Sequence, residues 1–181
     1  QQMMASHRAD QALQTLVSSQ KALSQRIVFL ANAATTAPPD HKAALIDALS
    51  AANRKFEQDY DALMDAIDAV AGTGDVNDVG STANILFGSP YQLDYFSTNL
   101  AANGWRFISA LQTQMRFATP DGSYQGGVER ARLDETVATA TLDAYTALGD
   151  HFARASDVTL ASMVVAHRNL FYATIAVICL V

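Results

Sequence analysis

Leu13–Ala34 reads LQTLVSSQKALSQRIVFLANAA, and Leu13, Leu16, Leu23, Ile27, Leu30 and Ala34, with Gln20 completing the series, recur in alternating steps of three and four. Such steps keep a stripe on one side of a helix, whereas a half-buried strand needs a period of two. No Gly or Pro interrupts residues 3–37, so the stretch predicts one long helix that packs on its neighbours at shallow angles, as in bundles and coiled coils. Pro38 and Pro39 then end it, because a proline disfavours the helical conformation of the residue before it and lacks an N–H.

The same spacing continues along the chain. Leu45, Leu49, Ala52, Phe56, Tyr60, Leu63, Ile67 and Val70 predict a second helix over residues 40–71, with Asp40 as its cap and Gly72 and Gly74 as its stop. The polar run 73–82 (TGDVNDVGST) reads as the main loop, and a short helical segment is expected at 83–87 before Gly88-Ser89-Pro90. Leu93, Phe96, Leu100, Phe107, Leu111 and Met115 predict a third long helix over 90–118, with Gly104 as a soft spot and Thr119-Pro120-Asp121-Gly122 as the following turn. A fourth helix starts near Gly127 and runs through Leu133, Val137, Leu142, Tyr145, Leu148 and Phe152 to the apolar terminus. Neither a sheet-length alternation nor a fixed-period repeat occurs. The expected fold is all-α: an elongated up-down-up-down four-helix bundle whose last helix runs into a transmembrane helix. With a rise of about 1.5 Å per residue, helices of roughly 30 residues are about 45 Å long.

With 181 residues, half of them hydrophobic, and a net charge of −6, the chain fits one globular domain. Twelve Lys plus Arg without a basic run argue against nucleic acid as a partner. The single cysteine, Cys179, provides neither a disulfide framework nor a Cys-based metal site. No Glu has a His three positions later, which removes the di-iron bundle pattern, and the haem, zinc-protease, phosphate-loop and serine-hydrolase motifs are absent. No cofactor, metal site or catalytic residue is expected. His7, His41, His151 and His167 are scattered and read as surface or boundary residues. Asp59, Asp61, Asp65 and Asp68 read as a solvated helix face, and Phe56, Tyr60, Trp105 and Phe107 as core.

Leu170–Val181, LFYATIAVICLV, has Thr174 as its one polar residue. A membrane span takes about 20 apolar residues, so the expectation is a second transmembrane helix cut at Val181. Phe171 and Tyr172, preceded by His167 and Arg168, suit the headgroup region. The expected division is a four-helix domain over 1–169 and the start of the membrane helix over 170–181. The bland alternative is a buried terminal helix.

Val17–Arg26, V-S-S-Q-K-A-L-S-Q-R, resembles the first-helix motif of the type IV pilus methyl-accepting chemotaxis transducer N-terminal (PilJ-type) domain, whose pattern is close to A-G-R-Q-R-M-L-S-Q-R. Gln20, Leu23, Ser24, Gln25 and Arg26 match, Lys21 replaces one cation by another, and Ser18, Ser19 and Ala22 depart. Ile85–Asp94, ILFGSPYQLD, is similar to the segment leading into the third helix of such sensors. The family is also similar to the periplasmic domains of nitrate and nitrite sensor kinases, in which a cation of this motif holds an anion at a dimer interface. The resemblance implies that Lys21 takes that place. On a helical wheel Gln14, Ser18, Lys21, Gln25 and Asn32 share a strip opposite the leucine stripe, without Asp or Glu. Two such strips facing across a two-fold axis bring two Lys21 side chains together, and a small anion with Ser18 and Gln25 as donors relieves their repulsion. Lysine lacks the planar fork of arginine, which argues against nitrate specificity. Without a ligand, the strip is a solvated helix face.

The expectation is therefore a non-enzymatic, homodimeric sensor domain facing the periplasm from the bacterial inner membrane. Ser18, Lys21 and Gln25 are its candidate ligand-binding residues, and a histidine kinase, diguanylate cyclase or chemotaxis output lies beyond Val181. The rival expectations are a periplasmic protein-interaction domain that reads a partner through the 73–89 loop, and a helical spacer.

Overall fold

The computed structural model describes residues 2–70, 74–116 and 135–179. Among these residues there are five helices, α1 (Gln2–Thr36), α2 (Pro39–Val70), α3 (Thr82–Phe87), α4 (Leu93–Arg116) and α5 (Glu135–Cys179), and no strand. The chain is all-α with bundle-like packing. α1 lies against α2 and α5, α4 lies against the same two helices, and α1 also meets α4 across the middle. The short α3 sits on α4 and α5.

The core is built from the stripes read in the sequence. Leu13, Leu23, Ile27, Leu30, Leu49, Phe56, Leu63, Leu93, Leu100, Phe107, Leu111, Leu148 and Phe152 are all buried, and each contributes about 1.5–3 kcal/mol of transfer free energy. Val17, Ile46 and Ile108 lie outside those stripes and are buried too, because the apolar face of a bundle helix is wider than a strict heptad seam. Met115, next to the end of α4, is exposed instead. The expected turn at 119–122, the expected helix start at Gly127 and Leu133 lie outside the described residues.

Three expectations at helix ends and bends are corrected, each for a backbone reason. Asp40 is not the cap of α2: the Pro38 carbonyl accepts the first bonds, from the His41 and Lys42 N–H groups at 3.1 Å, and Pro39 takes the first helical position. A residue with preset φ and no N–H suits that position, while Asp40 in the first turn complements the helix dipole. α4 begins at Leu93 and not at Pro90, because Gln92 has φ 44 and its N–H turns back to the Gly88 carbonyl at 2.9 Å. A positive φ interrupts a right-handed helix. Gly104 is a packing point and not a soft spot: a Cβ there would overlap Asn53 Oδ1 on α2, whose amide also donates to the Ala101 carbonyl at 3.0 Å. The close approach of α2 and α4 requires glycine.

α5 has Ala144, Tyr145, Leu148, Phe152 and Ser156 buried, and past Ser156 its described side chains are exposed apart from a half-buried Met163. Val158, Leu160, Val164 and Val165 are among the exposed ones. The helix backbone continues to Cys179, while the side chains from Leu170 onward, and residues 180–181 altogether, lie outside the described residues. Among the described residues no helix is long and apolar enough to cross a membrane.

Candidate functional site

α1 has two polar faces with different fates. On its outer face Ser18 and Gln25 are exposed and Lys21 is half-buried, with Gln14 half-buried and Asn32 exposed on the same strip. The helix brings the three candidate ligand-binding residues together in one line, and Phe29, 70% exposed, lies among them. Among the described residues the side chains of Ser18, Lys21 and Gln25 have no hydrogen-bond partner. A shallow depression lined by Gln11, Gln14, Thr15 and Ser18 lies N-terminal to Lys21 and does not include it.

On the inner face stands Gln20, which the sequence placed in the apolar series and which is fully buried. Its amide N–H donates to the Phe56 carbonyl at 2.9 Å, and its Oε1 accepts the Tyr145 hydroxyl at 3.2 Å. Ser97 Oγ lies 2.9 Å from the same hydroxyl. Since Tyr145 has one proton and gives it to Gln20, Ser97 donates to Tyr145. One residue from each of α1, α2, α4 and α5 thus meets in a single crossing. Burial raises the Tyr145 pKa above its ordinary value, with Asp94 adding to the shift and the Ser97 bond opposing it, so the phenol stays a neutral donor. The Phe56 ring meets the Tyr145 ring edge-on at 6.3 Å. A polar residue at a core position was the available signal for this site; its partners, far away in sequence, were not.

Beside the crossing, residues of α2 and α4 line a cleft of about 580 Å³ that includes Phe56, Glu57, Tyr60, Asp61, Ser97 and Trp105. Two hydrogen bonds tie the helices across it. Trp105 Nε1–H is shared between the Glu57 carboxylate oxygens at 3.0 and 2.9 Å, and the Tyr60 hydroxyl donates to Asp94 Oδ1 at 2.7 Å. Burial, then the bond to Asp94 and its charge, raise the Tyr60 pKa well above the usual phenol range. The expectation that the aromatics are core holds for Phe56 and Phe107, which are buried, whereas Tyr60 and Trp105 are half-buried cleft walls.

The other candidate groups separate in the same way. Asp61, Asp65 and Asp68 are exposed, but Asp59 accepts both Ser19 Oγ and Lys55 Nζ at 2.9 Å. His151 is half-buried with Nε2 3.1 Å from Thr82 Oγ1, joining α5 to α3. Burial lowers its pKa, Arg154 lowers it further, and a bond to the Gly80 backbone opposes both. No group of three or more His, Cys, Asp or Glu among the described residues is arranged to hold a metal ion. In the loop before α3, Val79 is 90% exposed, and Val76 and Phe87 nearby are exposed as well. No family model, curated protein or solved structure matches this chain.

Proposed function

We propose that the chain is the sensor domain of a bacterial transmembrane signalling receptor of the PilJ-like type, paired with a second copy through the outer face of α1. The observation that carries this reading is the outer strip itself. Residues resembling a sensor motif, Lys21 and Gln25 with Ser18 beside them, lie unpartnered on a surface that also exposes Phe29. Aromatic side chains are enriched where chains meet, and Phe29 gives this carboxylate-free polar strip such a residue.

In this reading the bundle runs up-down-up-down, and α5 passes from the domain into the inner membrane at residues 170–181, with the domain in the periplasm. The exposed length of α5 beyond Ser156 supports its use as a rod between bundle and bilayer. The packing of α1 on α5 gives a change at the α1 interface a direct route to that rod. The cue is a small anion held between two Lys21 side chains, and a kinase, cyclase or chemotaxis module reads the result.

The test is a titration with millimolar nitrate, sulfate or phosphate, followed by thermal melting and sedimentation. A rise in Tm and in dimer fraction for the wild type, absent in Lys21→Ala, is the expected result. A monomer unaffected by all three anions sinks the dimeric anion sensor.

The exposed Val76, Val79 and Phe87 favour a second reading, in which the 73–89 loop docks a periplasmic protein without a small ligand. Val79→Asp then abolishes signalling in the intact receptor, whereas Lys21→Ala leaves it unchanged.

A further inference from the structure

We propose that the cleft between α2 and α4 is a binding site for a small organic cation with an apolar body, an alkyl- or arylammonium ion. Its volume of about 580 Å³ falls within the roughly 300–1,000 Å³ of small-molecule sites. Tyr60 and Trp105, both half-buried, provide aromatic wall over the buried edge of Phe56, and Glu57 and Asp61 provide negative charge, while no Lys or Arg is in the lining. The nearby ammonium of Lys55 is committed elsewhere, to Asp59 at 2.9 Å. With two carboxylates and no basic side chain in its lining, the cleft disfavours an anion, and a neutral apolar molecule makes no use of its charge.

The walls are already held in place. Trp105 is fixed from α4 onto Glu57 of α2, and Tyr60 from α2 onto Asp94 of α4. These two ties fix the rotamers of both wall side chains before any ligand arrives, so binding costs little side-chain ordering. An indole or phenol that donates to a carboxylate also gains electron density in its ring, which strengthens attraction for a cation over its face. A metal ion is a poorer fit, because the described carboxylates form no coordinating group of three. An ammonium with an apolar body uses both the charge and the aromatic wall. This site lies apart from the outer strip of α1 and does not depend on the sensor reading.

Trp105 is the single tryptophan of the chain, so its fluorescence reports on the cleft directly. The full 181-residue chain is titrated with benzylammonium chloride, with benzyl alcohol as the uncharged analogue and sodium chloride as the ionic-strength control. The expected result is a saturable change with benzylammonium, weakened about tenfold for benzyl alcohol and about tenfold in Asp61→Asn and in Glu57→Gln/Asp61→Asn. Asp61 is exposed, so its single variant keeps the fold while removing charge. Lys21→Ala binds as the wild type does. An emission change no greater than that from sodium chloride, equal binding of benzyl alcohol, or undiminished binding by both carboxylate variants overturns the proposal.

Discussion

Gln20 and Gln25 are the same residue type, about 1.4 helical turns apart on α1, yet they occupy opposite surroundings. Gln20 is fully buried and uses its amide N–H and its carbonyl oxygen, joining α1 to the Phe56 carbonyl and the Tyr145 hydroxyl. Gln25 is exposed on the strip of Ser18, Lys21 and Asn32. The difference is one of commitment. A buried amide that lost its partners would bear the full cost of desolvation, so its neighbours are fixed by the fold. An exposed amide has water as an alternative partner and remains available to a ligand or another chain.

The contrast is broken most directly by exchanging each glutamine for alanine. Gln20→Ala removes two buried hydrogen bonds and leaves a cavity at the centre of four helices, and an expected loss of about 3 kcal/mol shows as a lower urea midpoint. Gln25→Ala shifts stability by less than about 0.5 kcal/mol. Comparable losses for the two variants would mean that the crossing does not carry the stability assigned to it.

A subtler change sharpens the same comparison from the other side of the bond. Tyr145→Phe keeps the ring contact with Phe56 and removes only the hydroxyl that links Gln20 to Ser97. An expected loss of about 1–2 kcal/mol, read from the same unfolding curves, measures the hydrogen bonds apart from the packing.

The smallest effect belongs to His151, which is buried only in part. Its folded-state pKa lies below the ordinary 6.5, so the unfolded chain takes up the proton first as pH falls. The stabilisation is complete above that value and is lost as pH falls through it toward the folded pKa. Amide protection in α3 should weaken as pH falls through 6.5 and below, and His151→Gln should flatten that dependence. A protection profile in the wild type that does not change with pH would remove His151 from the α3–α5 contact.

The helices and the membership of their faces were legible because both follow from local periodicity. Leu13, Ile27 and Leu30 face inward and Ser18, Gln25 and Asn32 outward for the same reason: a helix advances about 100° per residue. That arithmetic located the α1 strip without knowledge of any neighbouring helix. It was less informative about ends. The backbone at Gln92 and the capping by Pro38 follow from carbonyl and N–H geometry, and a hydrophobic pattern does not report it.

What the sequence determined by itself was an all-helical chain, the core faces of its long helices, and a polar outer strip on the first. Only the tertiary structure decided which polar residues meet. Gln20 and Tyr145 lie 125 positions apart, and Glu57 and Trp105 lie 48 apart. Periodicity fixes a residue's direction from its own helix axis. It leaves open which helix stands on that side and at what height. Those are set by packing between helices: Gly104 lets α4 close upon Asn53 of α2, while Glu57 and Tyr60 of α2 and Trp105 of α4 line a cleft on the same helix pair.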